Sequence, residues 1–318
     1  MHQDRRGVGR GRPRPLERLE RGKGAVTRAL GCLLVCVSLV IAQDARERLL
    51  AEANSAYRSL HASEAVGLYR RYLAQYPDRA DVRVYLGGAL LNLNQMQDAF
   101  DEAQRAIALD GRYPKGYILA GRVCAAREQW DRAQEFFSKA QNLDPRDLDA
   151  RYFSGRAYYD ANRFERAIEA FEQALRLDAE QARVFENMGL AQDALGKFGA
   201  AEKSLRKAVE LARGTYRPYL AYGAFLFRQG RAAEGLPVLR QALAIAPNAL
   251  DVRFELARLL YHQDGAAEAA TILEPALASN ECRVHNLMAR IYSASGQAAK
   301  AETEIKALEH CNSGTERQ

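Results

Sequence analysis

Cysteine and histidine are the residues through which this chain could do covalent or metal chemistry. Four of them fall into two tight pairs, Cys282-x-x-His285 and His310-Cys311. Two thiolates and two imidazoles make a zinc donor set. The adjacent pair at 310 and 311 strains a tetrahedral arrangement, so no metal site is assigned. His61 and His262 have no ligand-spaced partner and are expected on the surface. No GxSxG, Walker-type phosphate loop, HExxH or paired CxxC occurs anywhere in the sequence. Gly196-Lys197 lacks the preceding glycine a phosphate loop needs. The chain is therefore expected to be no enzyme and to need no cofactor.

Charge narrows the partners. The formal charge is +6, and residues 1–28 hold nine Lys and Arg against three acids. That segment accounts for the whole surplus, leaving 37 bases and 37 acids after residue 42. A neutral body gives no electrostatic case for nucleic acid. Apolar residues make up 48% of the chain and charged ones 27%, a composition that excludes disorder for most of it. Abundant Ala, Leu, Arg and Glu with only nine prolines favour helix.

Behind the basic stretch comes ALGCLLVCVSLVIA, residues 29–42, too short to span a bilayer as a helix. It matches the apolar core of a secretory signal, with Val40-Ile41-Ala42 as the cleavage site. The expectation is export, periplasmic or secreted. The alternative is an uncleaved inner-membrane anchor with the body outside the cytoplasm, the only membrane contact foreseen. The long arginine-rich start also admits translation beginning near Val26.

The elements show themselves through a period of 34 residues. Small residues recur at Ala65, Ala99, Ala133, Ala167, Ala201, Gly235, Ala269 and Ala301, the last step being 32. Twelve residues before each stands another small one: Ala53, Gly87, Gly121, Gly155, Gly189, Gly223, Ala257 and Ala289. Four residues after each stands bulk: Tyr69, Phe137, Phe171, Leu205, Leu239, Leu273 and Ile305, with Ala103 the exception. Each unit reads as two antiparallel helices that touch where the residues are small, with apolar stripes at 3–4 spacing. Gly196, Gly230 and Gly296 mark where the first helix ends and a left-handed residue is favoured. One hairpin cannot bury its own face, so units stack into a one-dimensional core. The last helix, with Lys300, Glu302, Glu304, Lys306 and Glu309, is expected to cap the stack with a polar outer face. Trp130 and Cys124 are expected to be core residues.

Tyr117…Gly121…Trp130…Ala133…Phe137…Ala140…Pro145 and Tyr152…Gly155…Tyr158…Phe164…Ala167…Phe171…Ala174 are the clearest copies. In these columns the chain resembles the tetratricopeptide repeat (TPR) family. The resemblance implies an all-α superhelix, an α-solenoid of about eight helix-turn-helix units. They run 46–79, 80–113, 114–147, 148–181, 182–215, 216–249, 250–281 and 282–315. Together they form a single array over 43–315, behind a leader at 1–42 and before a tail at 316–318. Cys282 and Cys311 then stand at the two ends of the last hairpin, where antiparallel packing joins them, and export would allow a disulfide.

The resemblance also implies that first helices line a concave groove for an extended peptide or partner protein. Three columns of that groove hold the candidate binding residues Arg122, Arg156, Arg258 and Arg290 with Tyr152, Tyr159, Phe227, Phe254 and Tyr261. Arginines among aromatics suit a peptide bearing carboxylates and apolar side chains, although the same arginines could only neutralise acids on neighbouring helices. Members that clamp a chaperone's terminal carboxylate use Lys and Asn where this chain has Leu50, Val84 and Gly88, with only Asn54 in keeping. The alternatives are an envelope, secretion or polysaccharide-export assembly using the convex face and end repeats, and sugar stacking on groove tyrosines.

Overall fold

A computed structural model describes residues 43–315, with side chains described to Cys311; the leader, the signal and the tail lie outside them. The described residues are all helix and turn, and the chain divides into two compact units between Gly111 and Arg112. Unit 1 contains α1 (43–58), α2 (Ala62–Gln75), α3 (Ala80–Asn92) and α4 (Met96–Leu109). Unit 2 contains α5 (Pro114–Ala126), α6 (Trp130–Leu143), α7 (Leu148–Asp160), α8 (Phe164–Leu177), α9 (Ala182–Ala194) and α10 (Phe198–Leu211). It continues through α11 (Arg217–Arg228), α12 (Ala232–Ile245), α13 (Leu250–His262), α14 (Ala266–Leu273), α15 (Cys282–Ala294) and α16 (Ala298–Thr315). A 3₁₀ turn, Glu274–Ser279, prolongs α14, where Pro275 has no amide to continue the α ladder.

The helices follow from their sequences. In α8, Ala167, Ala170, Phe171 and Ala174 are buried at steps of three and four, while Glu165 and Arg176 suit the helix dipole at its two ends. The Asp147 side chain caps α7 by accepting from the Ala150 amide at 3.2 Å, and Pro114 opens α5 where no amide partner is needed.

Within each hairpin the helices approach at the small-residue columns. A Cβ on Gly121 would lie 2.6 Å from Phe137, and one on Gly155 would lie 2.6 Å from Phe171. Tyr69, Phe137, Phe171, Leu205, Leu239 and Leu273 are all fully buried. Cys124 is fully buried too, and burial pushes its thiol up. Trp130 is only partly buried at the start of α6.

Chain reversal after each first helix uses one left-handed residue at one repeat position. It falls at Leu60, Asn94, Glu128, Asn162, Gly196, Gly230, Asp264 and Gly296, with φ between 57° and 73°. The next amide closes the motif, as where Gln129 N–H donates to the Cys124 carbonyl at 2.9 Å. Three of these residues are the glycines picked out by the sequence. The others are held there by the closing hydrogen bonds.

The last hairpin departs from the expected cap. Glu304 does not face outward: it is buried, and its carboxylate meets His285 Nδ1 at 2.6 Å. With Glu304 turned inward toward that partner, Ile305 next to it is 45% exposed instead of filling the bulky core column.

A non-glycine residue at positive φ costs roughly 1–2 kcal/mol, part of which glycine gives back through a more flexible unfolded chain. Glu128→Gly is therefore expected to stabilise unit 2 by about 0.5–1 kcal/mol. A higher urea midpoint at unchanged slope is the readout.

Candidate protein-binding surface

In unit 2 the first helices α5, α7, α9, α11, α13 and α15 pack directly against one another from repeat to repeat. Among the described residues of this unit the second helices make no such contact with each other. The row of first helices is therefore the inner, more tightly curved layer, and its free face is the candidate surface.

Along that face a row of aromatics carries stacked arginines. The guanidinium of Arg122 lies 4.6 Å from the centre of the Phe153 ring, and Arg183 lies 4.5 Å from Tyr152. Further along, Arg258 lies 4.9 Å from Phe227, Arg283 lies 5.1 Å from Phe254 and Arg290 lies 5.4 Å from Tyr261. Such stacks contribute about 0.5–1 kcal/mol each at exposed sites. Their larger effect is to hold flexible side chains in one orientation.

The four arginines picked out by the sequence fall into two classes. Arg156 donates to Asn187 Oδ1 at 3.0 Å and to Asp160 at 3.1 Å, and Arg258 meets Glu255 at 2.6 Å. For Arg122 and Arg290 no carboxylate lies within ion-pair distance among the described residues. The aromatics differ too. Tyr152 lies under Arg183 and accepts from Asn187 at 3.3 Å, and burial pushes its hydroxyl up. Tyr159 packs edge-on against Phe164 at 5.5 Å, and burial raises its hydroxyl as well. Phe227 and Tyr261 both meet His262, at 5.4 and 5.8 Å.

Several groups in this face escaped the sequence reading. Buried Asn187 links Arg156 and Tyr152 across repeats. Glu186 stands in the same region, its carboxyl pushed up by burial against the pull of Arg217 and Arg156. Lys115, Asp149 and Arg183 form a ladder: Lys115 Nζ meets Asp149 at 3.0 Å, and Arg183 takes the other oxygen of the same carboxylate. These three occupy one repeat position with alternating sign, a signal that comparing charges at 34-residue steps would have found.

The four residues of possible zinc chemistry lie elsewhere. Cys282 and Cys311 form a disulfide with Cα atoms 5.6 Å apart. The two ring nitrogens of His285 face Glu304 and, at 3.3 Å, Asn280. Among the described residues no group of three or more His, Cys, Asp and Glu side chains could hold a metal ion. Nor is any described helix long and apolar enough to cross a membrane.

Stacked helical hairpins with an open inner face define a helical-repeat scaffold, a fold that is generally a non-catalytic platform for protein–protein interaction. Family models agree on which one. A TPR repeat model matches residues 155–196, one tetratricopeptide repeat model matches 226–291, and another matches 50–116 and 186–249. The chain belongs to the tetratricopeptide repeat family. No match is found among curated protein sequences.

Solved structures show the same fold at low identity. The Cut9–Hcn1 hetero-tetramer of APC/C is 17% identical with a TM-score of 0.60, over 75% of this chain and 48% of that one. Yeast Tom70 is 20% identical with a TM-score of 0.59, over 76% of this chain and 50% of that one. The chain thus spans about half the length of these two proteins. PilF of Pseudomonas aeruginosa is 20% identical with a TM-score of 0.54, over 66% of this chain and 97% of that one.

The ladder carries a pH prediction. Burial raises the Asp149 carboxyl, but hydrogen bonds and charge from Arg183 and Lys115 outweigh it and hold the group below its ordinary range. A depressed carboxyl stabilises fully above its unfolded value of about 3.9 and loses that contribution as pH falls through the folded value. Asp149 is one-third exposed, so the contribution is expected to be below about 1 kcal/mol. Asp149→Asn should lower the urea midpoint at neutral pH, and the gap to the parent should narrow progressively as pH falls below about 3.9, readable by paired urea titrations.

Proposed function

We propose that the inner face of unit 2 binds an extended segment of a partner protein carrying carboxylates and apolar side chains. The observation that carries this reading is the row of arginines stacked on aromatics along the first helices. Guanidinium groups take carboxylates in bidentate fashion, and arginine and aromatic side chains dominate binding energy at protein interfaces. Stacking orients the donors before the partner arrives, which lowers the entropy lost on association. Arg122 meets no internal carboxylate among the described residues, so its charge is left for a ligand. The protein acts as a scaffold and does no chemistry on what it binds.

The site of action in this reading is outside the cytoplasm. Support comes from the apolar segment at 29–42 behind a basic start, and from the Cys282–Cys311 disulfide, a bond that persists in oxidising compartments.

The test is affinity capture from the host's envelope fraction with the parent chain and with the triple variant Arg122→Glu, Arg156→Glu, Arg258→Glu, followed by affinity measurement on each captured protein. Reversing three groove charges should weaken the true partner by at least about tenfold and flatten its salt dependence. Equal capture and equal affinity would contradict a groove ligand.

A further inference from the structure

We infer that the C-terminal end of this face is a docking pocket for a partner segment that places an apolar side chain beside an aspartate or glutamate. The inference rests on the inner face being a protein-binding surface, and it names where one anchor sits and what chemistry it takes.

Between α13, α15 and α16 lies an open depression of about 610 Å³, lined among others by Tyr261, Asn286, Ala289, Arg290, Ile305 and Leu308. Its volume suits an apolar side chain and the backbone around it. Ile305 is the informative wall. The six large residues of the same repeat column are fully buried, whereas Ile305 is 45% exposed and turned to this depression. Glu304 holds the inward position through His285, so an apolar side chain remains uncovered beside a cation.

That cation selects the partner's charge. Arg290 stacks over Tyr261 and has no carboxylate within ion-pair distance among the described residues. Its own helix, α15, contains no acidic residue. On α16, Glu302 is taken by Lys306 at 2.8 Å, Glu304 by His285, and Glu309 makes no ion pair with Arg290. An apolar floor with one uncompensated guanidinium at its edge fits an acidic-apolar segment and disfavours a basic one. Asn286 adds an amide able to hold the segment's backbone.

The walls are set in advance. The Cys282–Cys311 disulfide and the His285–Glu304 contact tie α16 to α15 at two levels. Ile305 and Leu308 thus keep their places although no described helix follows α16. Binding needs little further ordering of the protein.

The experiment is fluorescence polarisation with the full chain and short end-blocked peptides in which Leu, Ile or Phe is flanked by Glu. Matched series carry Lys or Ser instead of Glu. The Glu series should bind and the Lys series should not. Arg290→Glu and Ile305→Lys, both at exposed positions, should each weaken the Glu series by about tenfold or more, while Lys203→Glu, at an exposed position on the second helix α10, changes it by less than about twofold. Far-UV circular dichroism and an intact disulfide establish that the variants are folded. The inference is overturned if the Glu series does not bind, if the Lys series binds equally, or if Arg290→Glu and Ile305→Lys leave binding unchanged. Loss on Arg122→Glu with none on Arg290→Glu would overturn the pocket and leave the broader groove reading standing.

Discussion

Every other feature of this protein depends on how closely the two helices of a hairpin approach. At Gly121 and Gly155 there is no room for even one methyl group, because the rings of Phe137 and Phe171 already occupy it. That approach sets the thickness of each hairpin and therefore the spacing at which the next can stack. In unit 2 the first helices touch their successors while the second helices do not, so the stack bends toward one face. Stability accrues between neighbours, as in any one-dimensional array, and the proposed ligand surface is the face the bend creates.

The fold was legible because this constraint writes itself into residue size. A column that tolerates only Gly or Ala, beside one that demands bulk, repeats at 34 residues and needs no charge or hydrogen bond to be recognised. The exceptions were legible only in part. Glycine at 196, 230 and 296 announced a left-handed turn, but Leu60, Glu128 and Asp264 adopt the same conformation without a residue type that signals it. There the hydrogen bonds that close the turn within each hairpin impose what local propensity resists.

The surface was less legible than the core, for a physical reason. A column of arginines says that guanidinium groups face inward, but not which acid each will meet. Arg156 and Arg258 find carboxylates within three or four residues on their own helices, while Arg122 and Arg290 find rings. The Lys115–Asp149–Arg183 ladder crosses three repeats, so no pattern within one helix betrays it. The last helix shows the same difficulty. Glu304 reads as a solvated cap residue until His285, nineteen residues away, is seen to take it inside and leave Ile305 uncovered. Function in such an array resides in these departures from the repeat, since the repeat itself serves only packing.

The most direct test of the packing account is a double-mutant cycle at Gly155 and Phe171, read as urea midpoints. Gly155→Ala alone should destabilise by roughly 1–3 kcal/mol, since the ring has nowhere to go. Phe171→Leu alone should also destabilise, by leaving part of the site empty. Combined, the two should be less damaging than their sum by about 1 kcal/mol or more, because the smaller side chain makes room for the methyl group. Strict additivity would contradict the claim that helix approach at this column governs the fold.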